Sequence, residues 1–188
     1  TGSVMKRIAA LDWLASLAAA GAGIDRNFFI ERLKNDESSW VKAASLWYLK
    51  KMKVHVPQQF LMESLASENP FLVFVAVGML DNSHKADFEK KLDDLFFLGD
   101  DLYQRQVLEK IHECFGYKKL KAHCLKPPKG KLTVLATLFF IQKAYENNDI
   151  DVLNRYFTLD TRPEFLCPSA ALLLRIDKEK TIAKLIDF

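Results

Sequence analysis

The chain has 188 residues, 49% of them apolar and 27% charged, with a formal net charge of +3. That is enough for one domain with a real core or a short stack of repeats, and the near-balanced charge neither demands nor excludes nucleic acid. The 3 cysteines are odd in number and form no CxxC spacing, which argues against a disulfide framework and for a reducing compartment.

The most apolar runs, 71–80 and 132–141, are each about ten residues, whereas a membrane-spanning helix needs roughly twenty. No secretory signal pattern opens the chain, so a cytoplasmic location is expected. Residues 1–4 (TGSV) read as a cloning remnant, and a single domain is expected over 5–188.

In chain order, the first expected helix covers 5–20 (MKRIAALDWLASLAAA) and is stopped by Gly21 and Gly23. Residues 29–49 then overlay 61–81 with a shift of 32 positions. Leu33 falls on Leu65, Asn35 on Ser67, Val41 on Val73, Ala44 on Ala76 and Trp47 on Met79. Each copy reads as a short amphipathic helix, a polar turn and a second, more apolar helix. The first turn offers capping side chains over 36–39. The second offers Asn69 as cap and Pro70 at the first helical position, where a missing N–H costs nothing.

The helix after the first turn carries Trp40, Val41, Ala43, Ala44, Leu46, Trp47, Tyr48, Leu49 and Met52. It is apolar over most of its circumference, so it needs cover on more than one side. The polar stripe left for solvent or a ligand is Lys42, Ser45 and Lys53. Trp40 and Trp47 share a face by their spacing and read as core.

The same grammar continues in looser spelling. Residues 85–98 and 99–115 read as a third pair, with Asp100 or Asp101 as cap. Residues 117–125 and 131–146, separated by KPPKG, read as a fourth. Residues 149–159 and 162–176 read as a fifth, with Pro168 bending or breaking its second element. A last amphipathic helix covers 177–188. No such pair buries its apolar face alone, so stability is expected from stacking.

The order Asp36, Val41, Lys42, Ala43, Ala44, Leu46 resembles the second helix of a short HEAT-like repeat, which reads Asp in the turn, Val-Arg, Ala-Ala and Leu. The second copy keeps Pro70, Val73 and Ala76. It departs at Glu68, where the Asp would fall, and at Phe74, where the basic residue would. The resemblance covers residues 24–83. It implies an all-α, right-handed α-solenoid (an α-α superhelix) of about five stacked helical hairpins, with second helices lining a concave face. It implies a protein-interaction or scaffold module without enzymatic activity. Two other readings stay open: a nucleic-acid-binding HEAT-like domain of the DNA-repair glycosylase type, and an enzyme-associated domain of the phycobilin-lyase type.

On such a face, equivalent positions lie side by side. The expected partner-binding row is Lys42, Ser45, Phe74, Arg105, Glu109, His112 and Thr137, facing a protein or peptide. Phe96, Phe97 and Leu98 offer a second anchor. A basic patch of Lys118, Lys119, Lys121, Lys126, Lys129 and Lys131 follows an acidic stretch with Asp87, Glu89, Asp93, Asp94, Asp100 and Asp101. No metal or cofactor is expected. His112, Cys114, His123 and Cys124 crowd one region, but His112 and Cys114 are two apart on a predicted helix and point away from each other. No GxSxG, phosphate loop, HExxH or kinase signature is present.

Overall fold

A computed structural model describes residues 2–95, 101–126, 132–158 and 162–186, apart from the side chains at 82 and 92–94. Phe96, Phe97, Leu98, Asp100, Lys129, Lys131 and the side chains of Asp93 and Asp94 therefore lie outside the described residues. Among the described residues, eleven α-helices and one short 3-10 turn make up the regular structure, and no strand is present. The chain divides into two compact units, Thr1–Leu95 and Phe96–Phe188.

The first unit holds α1 (Val4–Ala19), α2 (Asn27–Asn35), α3 (Ser39–Lys51), α4 (Gln58–Leu65), α5 (Pro70–Val77), a 3-10 turn at Asn82–His84 and α6 (Lys85–Leu95). Ser3 caps α1 by accepting from the Lys6 N–H at 3.4 Å. Gly21 ends the helix at φ 89°, where the Ala22 N–H reaches back to the Leu17 carbonyl at 3.0 Å. Asn69 caps α5 through the Phe71 and Leu72 N–H groups at 3.0 and 3.2 Å, with Pro70 first in the helix. At the start of α3, Asp36 rather than a serine accepts, from the Ser38 N–H at 3.0 Å. Helix α3 packs against α1, α2 and α5, and α4 packs on α5. Phe29, Leu46, Leu49 and Leu61 fill the space between them and are fully buried. Each such side chain contributes on the order of 1.5–3 kcal/mol by leaving water.

The second unit holds α7 (Asp101–Leu125), α8 (Val134–Glu146), α9 (Ile150–Arg155), α10 (Pro163–Ile176) and α11 (Lys178–Ile186). Helix α7 is interrupted at Gly116, with φ 78° and ψ 178°. That backbone is open to glycine alone, and it falls at the expected boundary between the third and fourth pairs. Helix α8 packs on α7, α9 and α10, and α10 also packs on α9 and α11. Helix α10 continues through Pro168, so of the expected bend or break the break does not occur. The proline leaves the Glu164 carbonyl without its helical donor, but Glu164 is exposed and water can serve it.

Side-chain hydrogen bonds between elements recur at nearly one sequence spacing. One set ties the first turns of α1, α3 and α7 to the residues that open α3, α5 and α8. The Arg7 guanidinium donates to Asp36 at 3.1 Å, the Asn69 amide to Ser39 at 3.1 Å, and the Thr133 N–H to Gln104 at 3.0 Å. Their separations are 29, 30 and 29 residues. A second set joins α4 to α6, the end of α7 to α9, and α9 to α11. Gln58 donates to Asp87 at 2.7 Å, Tyr117 to Asp149 at 2.8 Å, and Lys184 to Asn154 at 2.9 Å, with separations of 29, 32 and 30. Tyr48 to Asp12, at a separation of 36, departs from the pattern and adds a second tie between α1 and α3.

Candidate interaction surface

An α-helix turns about 100° per residue, so Trp40, Trp47 and Lys51 fall on one side of α3. The outer side of α5 presents Phe71 and Phe74 to the same surface. Trp40 stacks on Phe71 with ring centroids 6.4 Å apart, Trp47 meets Phe71 at 6.2 Å, and Phe71 stacks on Phe74 at 6.3 Å. Trp40 is 54% exposed and Phe71 38%, while Trp47 and Phe74 are half-buried. The opposite side of α5 is core, through Leu72, Val73, Val75, Ala76 and Val77.

The surface has a cationic edge. The Lys51 and Lys50 ammonium groups stand 5.2 and 6.0 Å from the Trp47 ring centroid. Lys51 also lines a groove of about 550 Å³ between α1 and α3, together with Arg26, Tyr48 and the alanines 15, 18 and 19. In that groove the Tyr48 hydroxyl donates to Asp12 at 2.7 Å. Burial, and then the Asp12 carboxylate, push the Tyr48 pKa up to about 12, so this phenol stays protonated and holds α1 on α3.

Within the first unit, Lys42, Ser45 and Phe74 are not brought together as one row, and in the second unit Thr137 is turned inward. Ser45 is fully buried and donates to the Val41 carbonyl at 2.9 Å. Thr137 is 3% exposed and donates to the Thr133 carbonyl at 2.8 Å. Each hydroxyl is satisfied inside its own helix, so neither reaches a binding rim. Lys42 lies about 200° round α3 from Trp40. It lines a separate cleft of about 210 Å³ with Leu33, Glu37, Phe60 and Glu63, away from Phe74. In the second unit, exposed Arg105 pairs with Glu109 at 2.9 Å. Half-buried His112 lies near Glu146, whose carboxyl is held below its usual range chiefly by a hydrogen bond from Lys143.

The basic patch is also partly used up within the fold. Lys121 pairs with Asp149 at 2.5 Å, and Lys119 lies over the Phe115 ring at 5.9 Å, while Lys118 and Lys126 are exposed. Burial alone would raise the Asp149 carboxyl, but hydrogen bonds from Lys121, Tyr117 and the Val152 N–H outweigh it and hold it low. Asp149 also caps α9. Beside this cluster, burial drives the Cys124 thiol well above its ordinary range, so it stays protonated and unreactive. Cys114 is buried, Cys167 is exposed, and the three cysteines form no disulfide with one another. Among the described residues, no group of three or more His, Cys, Asp or Glu is placed to hold a metal ion, and no helix is long and apolar enough to cross a membrane.

Sequence reasoning missed Trp40, Trp47 and Phe71 as surface residues. The signal was present in the seven-residue spacing of the tryptophans, which fixes that they share a face but not which face. Comparison of the chain with protein-family models, with curated proteins and with solved structures finds no match in any of the three.

Proposed function

We propose that this chain is a HEAT-like helical-repeat module that binds a protein or peptide through the aromatic surface of α3 and α5. The observation that carries this reading is the run of rings Trp40–Phe71–Phe74, flanked by Trp47 and open to solvent on its outer side. Single exposed apolar residues are ordinary, but four adjoining aromatic rings with a cationic edge have the composition of an interface centre. The recurrence of polar ties at 29 to 32 residues supports the repeat arrangement, because each tie covers about the length of one expected repeat.

The test combines Trp40→Ala with Phe71→Ala and uses the chain as bait. Both rings lie at the solvent edge, so the double variant keeps its helical circular dichroism and melts near wild type while partner capture is lost. Unchanged capture by a folded double variant contradicts the reading.

A further inference from the structure

Resting on that reading, we infer that the segment seated on the α3–α5 surface is a peptide whose apolar side chains are accompanied by acidic residues. The apolar requirement comes from Trp40, Phe71 and Phe74, which offer ring faces and edges and no hydrogen-bonding group except the indole N–H of Trp40. The acidic requirement comes from the edge. Lys51 is exposed, lies against Trp47 and has no carboxylate partner among the described residues. Lys50 stands beside the same ring.

The groove that continues from Lys51 adds exposed Arg26 and walls of alanine, so a chain leaving the rings toward α1 meets a second cation and further apolar surface. The one carboxylate in that groove, Asp12, is engaged by Tyr48. An acidic side chain within a few residues of an apolar anchor therefore finds charge complementarity where a basic one meets repulsion.

The same edge argues against two other occupants. A second copy docked through this surface would bring only the same rings and lysines, which include no carboxylate to pair with Lys50 and Lys51, since a two-fold contact pairs a patch with itself. Single-stranded nucleic acid needs cations along a backbone track with rings free to receive successive bases. Here the rings stack on one another, and the cations gather at one end.

The experiment selects short random peptides displayed on phage against the whole 188-residue chain. Trp40→Ala with Phe71→Ala, and Lys50→Glu with Lys51→Glu, serve as counter-targets whose melting curves are recorded. Enriched peptides are expected to carry Asp or Glu close to an aromatic residue or leucine. They should bind either variant about tenfold or more weakly and weaken as salt is raised. Peptides that depend on Trp40 and Phe71, lack acids and ignore the lysine variant overturn this inference and leave the interaction reading standing. Absence of any binder dependent on Trp40 and Phe71 overturns both. Tighter binding of oligo-dT, lost in the same variants, replaces the peptide with nucleic acid.

Discussion

The two units use rows of aromatic rings at the same spacing and to opposite ends. In the second unit Tyr117, Phe140, Tyr156 and Phe165 follow one another at 6.5, 6.4 and 6.1 Å. That row is anchored in the interior by Phe140, 0% exposed, and Phe165, 7% exposed, with Tyr117 and Tyr156 half-buried between helices. In the first unit Trp40, Phe71 and Phe74 follow at 6.4 and 6.3 Å along the outside. The difference lies in what the helices bury beside the rings. Helices α3 and α5 fill their buried sides with aliphatic residues, among them Val41, Leu46, Leu49, Leu72, Val73 and Val75, and leave the large rings on the outer side. Helix α8 buries Phe140 itself. Ring spacing is thus no guide to role, and the neighbours of each ring decide whether it packs or binds.

Substitution should separate the two rows sharply. Phe140→Ala removes a fully buried ring and should cost about 3–5 kcal/mol in urea unfolding, whereas Trp40→Ala should stay within about 1 kcal/mol. Equal costs would erase the contrast between an inner and an outer row.

Asp36→Ala should cost about 3 kcal/mol, because its side chain is 4% exposed, pairs with Arg7 and closes the turn at Ser38. A change below about 0.5 kcal/mol would place this tie among the negligible surface pairs.

Gly116→Ala should cost about 1–3 kcal/mol through backbone strain alone. An added Cβ there meets nothing within 4 Å, so crowding makes no contribution. A neutral substitution would mean that the break in α7 is not held at φ 78°.

A pH series sharpens the comparison through Asp149, whose carboxyl is held below the ordinary range in the folded chain. A depressed carboxyl contributes stability that is present above the unfolded pKa and lost as pH falls through the folded one. Asp149→Asn should therefore be less stable than wild type at neutral pH, and the gap should narrow on acidification below about pH 4. A constant gap would show that the residue acts through shape and capping only.

Much of the fold was legible because helix ends are written locally. Gly21, Asn69, Pro70 and Gly116 mark boundaries through their own backbone and capping chemistry, and the structure places helix ends beside each. Pro168 does not break α10, because the effect of an internal proline depends on whether the orphaned carbonyl reaches water, which is a tertiary matter.

The candidate surface was less legible for a similar reason. Helix α3 is apolar nearly all round, so polarity pointed to Lys42 and Ser45 as its open side. Ser45 answers its own hydroxyl within the helix, and Lys42 lies in a cleft between the first two helical pairs. The open side is set by where α1, α2 and α5 pack, and no residue of α3 announces that. Lys121 was likewise read as part of a free basic run, because Asp149, 28 positions on, is invisible to a local reading.

The most direct test of the outer aromatic row is a paired measurement on the Trp40→Ala, Phe71→Ala double variant: urea unfolding alongside partner capture. The account predicts stability within about 2 kcal/mol of wild type together with loss of capture. A loss of several kcal/mol would make the rings ordinary core, and intact capture by a stable variant would move the binding surface elsewhere on the chain.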